Sequence, residues 1–334
     1  MIRVVIAAVV AMLISLLVGP KFIEFLRRKE LGQFIREEGP AHHVTKQGTP
    51  TLGGLLMLLA AAVGYLCVAK FNVTGLTVLF AAIGCGAIGF LDDYTKLRHK
   101  RSLGLRGRWK MLLLAAVTVG VAAAARHQQL PTDLYIPVAD FDLELSWAWY
   151  PLLFLVIAGA ANGVNLTDGL DGLAAGTGMI ALFTYTAMSV VAYIRTGSPG
   201  HRFDSRLELA IVGAALIGAL VGFLWFNAFP AEVIMGDTGA MAIGGALAAF
   251  AIMTKTIVLL LLIGGIFALV ALSVIVQVFT FKYLGRRVFL MAPIHHHFEM
   301  KAWSETKIMV RFWILTGILC ATGFALYYRY YFRR

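Results

Sequence analysis

Four short stretches of this sequence carry carboxylates, amides or histidines at spacings that can do chemistry. The first is Gly89-Phe90-Leu91-Asp92-Asp93-Tyr94, two adjacent acids closing an apolar run. The second, Asn162-Gly163-Val164-Asn165-Leu166-Thr167-Asp168-Gly169-Leu170-Asp171-Gly172, places an amide or an acid at every third position. On a helical or turn-like path that period gathers the polar side chains on one side. The third is Asn227-Ala228-Phe229-Pro230, followed by Met235-Gly236-Asp237-Thr238-Gly239 where another apolar run starts. The fourth is Pro293-Ile294-His295-His296-His297-Phe298-Glu299.

Each stretch has a plain reading and a chemical one. Asp92 and Asp93 fit a helix end that reaches headgroup level, yet the negative end of a helix dipole disfavours acids, and a bound cation or proton would relieve them. The Asn/Asp repeat fits a polar turn, although its regular period exceeds what a connector needs. Asp237 fits a simple N-cap; open amides at a helix start also favour carboxylate and phosphate alike. A divalent ion such as Mg²⁺ is usually held by one or two carboxylates plus substrate oxygens, and Asp237 is placed for that. Three consecutive histidines cannot face one point on a regular helix or strand, and no HExxH is present, so a zinc site is disfavoured. They fit a solvated loop, or donors beside a pyrophosphate. Lys46, before Gly48-Thr49-Pro50-Thr51, and Arg106, Arg108 and Lys110 add cations, each alone an ordinary interfacial anchor.

The elements that must position these groups are membrane helices. Of 334 residues, 60% are hydrophobic and 14% charged, far below the roughly 25% charge of a soluble domain. Mean hydropathy is +0.80. Windows of about 19 residues place ten spans near 4–20, 52–69, 75–91, 110–125, 147–161, 172–194, 207–226, 238–254, 256–281 and 309–328. The run from Val4 to Val18 has signal-peptide length, but Gly19-Pro20-Lys21 replaces a small-x-small cleavage site, so it reads as the first helix. Cys67, Cys85 and Cys320 lie in apolar runs without CxxC spacing and carry no disulfide or metal message.

With an even number of spans the loops fall into two sets. Of 29 Lys and Arg residues, 19 lie in the loops 21–51, 92–110, 162–171, 227–237 and 282–311. The positive-inside rule makes that set cytoplasmic and both termini extracytoplasmic. It also accounts for the net charge of +11 without nucleic acid. On the opposite face Asp140-Phe141-Asp142-Leu143-Glu144-Leu145 alternates with the period of a strand, and Tyr135-Ile136-Pro137-Val138 can pair with it, so a small extracytoplasmic hairpin is expected near 135–145. The ninth span with its flanks exceeds the roughly 30 Å hydrocarbon core, and Gly264-Gly265 is a candidate break.

All four stretches and the basic residues fall in the loop set chosen by charge alone. Together they describe a magnesium-dependent phosphoryl-transfer site at a membrane surface. No GxxxxGK[ST] occurs, which argues against an ATP-driven pump. An ion-coupled transporter would place acids within the spans, whereas these cluster at loop boundaries.

Asp92-Asp93-Tyr94, Asn162-x-x-Asn165-x-x-Asp168-Gly169-x-Asp171-Gly172, Met235-Gly236-Asp237 and Pro293-Ile294-His295-His296-His297-Phe298-Glu299, in this order among ten spans, resemble the polyprenyl-phosphate N-acetylhexosamine-1-phosphate transferase superfamily. The similarity covers essentially the whole chain, as a single polytopic transferase domain, 1–334. Within the superfamily the histidine stretch is most similar to that of the phospho-N-acetylmuramoyl-pentapeptide transferases; siblings using UDP-N-acetylglucosamine carry a different one. The resemblance implies an enzyme of a bacterial cytoplasmic (inner) membrane, its site on the cytoplasmic face. It would convert UDP-N-acetylmuramoyl-pentapeptide and undecaprenyl phosphate to lipid I and UMP in peptidoglycan synthesis. It further implies that Asp237 binds Mg²⁺, with Asp168 a second metal candidate, and that Asp92 and Asp93 handle the lipid phosphate, one accepting its proton. Lys46, Thr51, Asn162, Asn165, Asp168, Asp171 and Asn227 would line the nucleotide and sugar pocket. Lys110 would steady phosphate, His295, His296 and His297 the pyrophosphate end, and the family suggests a homodimer. One departure is Ile234, where relatives often carry an aromatic residue thought to stack on uracil.

Overall fold

The computed structural model describes residues 1–32, 48–99, 101, 103–195 and 204–331. The apolar runs become helices α1 (Ile2–Arg28), α2 (Gly53–Leu66), α3 (Val73–Arg98), α4 (Gly107–His127), α5 (Trp149–Thr167), α6 (Leu173–Arg195), α7 (Asp204–Asn227), α8 (Gly236–Met253), α9 (Ile257–Ile263), α10 (Gly265–Leu284), α11 (Ile294–Glu299) and α12 (Glu305–Leu326). Among the described residues nine helical segments are long and apolar enough to cross a membrane. The expected second span is α2, only 14 residues long. The ninth breaks at Gly264, between α9 and α10, where the expected flaw lies. The expected hairpin also forms: β1 (Asp133–Ile136) pairs antiparallel with β2 (Phe141–Glu144), Tyr135 opposite Asp142. Lys255, in the turn after α8, holds Asp133 at 3.2 Å and fixes the hairpin at that end of the bundle.

Three expected boundaries shift, each because a helix runs on past its apolar stretch. α1 continues through Pro20 to Arg28, α3 continues five residues past Asp93 to Arg98, and α5 absorbs Asn162 and Asn165. Asp92 and Asp93 therefore do not end their helix. Its last turn carries Lys96 and Arg98, the charges a helix C-terminus favours.

α8 is the centre of the molecule, buried at every residue from Thr238 to Met253, and it packs on α3 and α5. Lipid offers no hydrophobic drive between helices, so close approach of small residues must hold them. One such close approach carries the site: a Cβ on Gly89 of α3 would strike the backbone of Asp237 and Thr238. α7 packs on α1 and α6, and far from α8's start it buries Glu208. That carboxylate is paired with Arg3 and accepts the Tyr65 hydroxyl at 3.0 Å and the Lys70 N–H at 3.1 Å, as a charge removed from water requires.

Gly89→Val is expected to destabilise the protein by about 1–3 kcal/mol through overpacking. The detergent-solubilised variant should unfold at a lower temperature, and an unchanged midpoint would mean that α3 and α8 are not in contact there.

Candidate active site

The site begins where α3 and α8 touch. At Gly236 the chain enters α8 with φ +74°, a backbone only glycine adopts easily. The two amides that follow, Asp237 N–H at 3.2 Å and Thr238 N–H at 3.0 Å, donate to the Asp93 carboxylate, and the Thr238 hydroxyl donates to it at 2.8 Å. The start of α8 thus binds an anion, as its dipole favours, but that anion is Asp93. Asp237 is not the N-cap; it stands in the first turn, after Met235.

Freed of capping, the Asp237 carboxylate faces Asp92 and Asp93, with ligand atoms of all three within 4.8 Å of one another. Two ammonium groups hold them. Lys96 Nζ lies 2.7 Å from Asp92, 3.0 Å from Asp237 and 3.6 Å from Asp93; Lys110 Nζ lies 3.3 Å from Asp237 and 3.9 Å from Asp92. Asp92 also accepts the Leu105 N–H at 3.0 Å, which holds Leu105, just before α4, beside the acids. Sequence reasoning misses Lys96, though its signal is there: three and four residues beyond an acid pair is the helical spacing for ion pairing.

The polar repeat splits. Asn165, in the last turn of α5, lies close enough to the Asp237 carboxylate to stabilise its charge, and Asp168 lies beside the Gly236 backbone. Burial, then the charges of Asp237, Asp93 and Asp171, push the Asp168 carboxyl up to about 8. Asp171 instead accepts the Ala231 N–H at 3.0 Å, and Asn227 clamps two loops, accepting from Gly172 N–H at 3.2 Å and donating to Val233 O at 2.9 Å. Asn162 donates to its own helix at Ala158 O, 2.8 Å. Thr51 is buried beside Gly236, in a segment paired to residues 234–235 through Ile234 N to Pro50 O, 2.8 Å, and Gly54 N to Met235 O, 2.9 Å. The backbone of Ile234 is thereby fixed, whatever side chain it carries. Lys46 lies outside the described residues.

The histidines occupy the short helix α11 and, as expected, face different points. His295 is buried, and a side chain on Gly169 would strike its ring. His296 is paired with Glu299. His297 Nδ1 accepts the Leu290 N–H at 3.1 Å, which requires an unprotonated nitrogen; burial, then the charge of Lys301, holds its pKa below the usual imidazole value. α11 therefore abuts the turn that carries Asp168.

All-oxygen donors on two helices suit a hard divalent ion, and the donor set with its flanking lysines suits transfer of a phosphorylated group. In an apolar helical bundle, that combination defines a membrane-embedded transferase. A family model described as glycosyl transferase family 4 matches residues 75–255, which hold Asp92, Asp93, Asn165, Asp168 and Asp237. The chain is 45% identical to the phospho-N-acetylmuramoyl-pentapeptide-transferase of Rubrobacter xylanophilus, over 98% of each chain. It is 45% identical to that of Frankia alni over 97% of each, and 46% to that of Geobacillus kaustophilus over 95% of each. The chain belongs to the phospho-N-acetylmuramoyl-pentapeptide-transferase family.

Lys96→Met would leave three carboxylates facing one another with one ammonium fewer. Thermal stability of the variant is expected to depend on added divalent cation far more steeply than that of the unaltered protein. Equal dependence in both would show that Lys96 does not neutralise the cluster.

Proposed function

We propose that this chain transfers phospho-N-acetylmuramoyl-pentapeptide from its UDP derivative to undecaprenyl phosphate, giving lipid I and UMP. The observation that carries the reading is the Asp92–Asp93–Asp237 cluster with its two lysines, in a chain nearly coextensive with its transferase relatives. A lipid-phosphate oxygen attacks the sugar-bearing phosphorus in line; the bond to the bridging oxygen breaks, and that oxygen leaves with UMP. Asp93, with its oxygens committed to α8, positions Asp237. Asp92, held by one backbone amide and by lysines that can turn to phosphate, accepts any proton on the attacking phosphate. A magnesium ion held by Asp237, with Asp168 as the further candidate ligand, would neutralise pyrophosphate charge when bound. Lys110 and Lys96 steady phosphate oxygens once the acids turn to the metal. Thr51, Asn165 and Lys46 contact nucleotide and sugar, Asn162 borders that pocket, and Asp171 and Asn227 shape it by holding its loops. His295, His296 and His297 bound the pyrophosphate end.

The chain acts as one domain, 1–334, in the bacterial inner membrane, its site on the cytoplasmic face because 19 of 29 basic residues lie in that loop set. It works as a homodimer with both termini outside. Purified protein with Mg²⁺, undecaprenyl phosphate and the UDP-muramoyl-pentapeptide should release UMP and form lipid I. Product only from UDP-N-acetylglucosamine would sink the assignment. Asp237→Asn should lower kcat by about 10²–10³ or more. Asp92→Asn should leave a residual rate that no longer falls toward acid pH, as loss of a general base requires; a retained acidic limb would assign the proton elsewhere.

A further inference from the structure

The chain between α10 and α11 doubles back on the helix it has left. Gly285 ends α10 in the left-handed region, φ +62°. Gln277, two turns earlier, then grips the returning strand: its Oε1 accepts the Val288 and Phe289 amides at 3.1 and 3.0 Å, and its Nε2 donates to Phe289 O at 3.0 Å. Leu290 N–H is held by His297, and Ser273 Oγ accepts the Ile294 N–H at 3.0 Å. The result is a rigid fin whose tip stands about 10 Å beyond the Gln277 grip, roughly seven helical residues at about 1.5 Å each.

Both limbs of the fin are apolar and uncovered. Phe279, Phe281, Tyr283 and Leu284 on the outgoing limb are more than half exposed, as are Val288 and Leu290 on the returning one. Lys282, Arg286 and Arg287 gather at the tip; the Lys282 ammonium lies 5.5 Å from the centre of the Tyr283 ring, and the Arg287 guanidinium 5.5 Å from that of Phe281. α9 and α10 together run 28 residues, Ile257 to Leu284, about 42 Å of helix against a hydrocarbon core of roughly 30 Å. An apolar excess of that length ending in cations is stable neither in water nor in the bilayer centre. It fits the interface, with aromatic rings at the acyl boundary and cations at phosphate depth.

We propose that this fin lies in the leaflet on the active-site side and that Lys282, Arg286 and Arg287 bind the phosphate headgroups of anionic phospholipids. The His297–Leu290 bond makes the fin a lipid-seated brace for α11. The inference needs only the membrane location, so it stands or falls apart from the reaction assigned above.

The test uses the full chain in nanodiscs holding mixed phosphatidylglycerol and phosphatidylcholine, with spin-labelled versions of each lipid. The unaltered protein should immobilise the anionic label preferentially. That preference should fall about fivefold for each cation lost, and on the order of 100-fold in Lys282→Gln/Arg286→Gln/Arg287→Gln, with an unchanged thermal-unfolding midpoint in detergent confirming that the variant is folded. A nitroxide placed by Val288→Cys, in a chain with Cys67→Ser, should be quenched by oxygen more than by an aqueous nickel complex. Unchanged lipid preference in the triple variant, or nickel access at position 288, would each overturn the proposal.

Discussion

The Asp93 carboxylate and the first amides of α8 hold each other, and the remaining site geometry depends on that grip. A helix start exposes unpaired N–H groups that must find an acceptor when buried. Here the acceptor comes from the neighbouring helix, through two amides and a hydroxyl. Because α3 and α8 are joined at that point, Asp92, beside Asp93 on α3, and Asp237, in the first turn of α8, are brought face to face. Gly89 one turn earlier lets the backbones meet, and Gly236 supplies the turn that aims the amides.

That closeness crowds like charges, which the chain offsets with its own cations. Three carboxylates meet two ammonium groups, leaving one net negative charge in a region partly shielded from water. Removing one cation from such a group leaves an uncompensated charge, the costly outcome for buried ion pairs. The same arrangement is receptive to a divalent ion, because lysine side chains are long and flexible and can yield a carboxylate oxygen without moving either helix.

The bundle was legible in the sequence because lipid imposes a length and composition on every crossing segment. The hairpin near 135–145 and the break at Gly264 were legible for related reasons: alternation at period two has one structural meaning, and so does an excess of apolar length at paired glycines. Local spacing did not reveal which polar side chains reach one another. Asn162 and Asn165 share a helix and a residue type, yet one bonds its own backbone and the other faces Asp237. Asp171 and Asn227 tie loops together, because a buried amide or carboxylate must satisfy whatever backbone groups lie nearest. The helix ends were misplaced where charged residues continue a helix beyond its apolar stretch, as at Asp92, Asp93 and Lys96, since hydropathy marks the hydrocarbon and not the end of the hydrogen-bond ladder.

The two sides of the site are built to different degrees of enclosure. The carboxylates ride on α3 and α8, and α8 is buried along nearly its whole length, so their spacing is set by helix packing that cannot relax without separating the core. The histidines ride on a six-residue helix attached to α10, whose outward face is almost bare. A six-residue helix is too short to be stable alone, and its position rests on outside ties: Ser273, the His297–Leu290 bond and the close approach of His295 to Gly169. Stacking of Phe298 on Trp303, ring centres 4.6 Å apart, adds the apolar side of that support. The acids are therefore held by the core and the histidines by the rim, which places the adaptable half of the site where the bundle meets its surroundings.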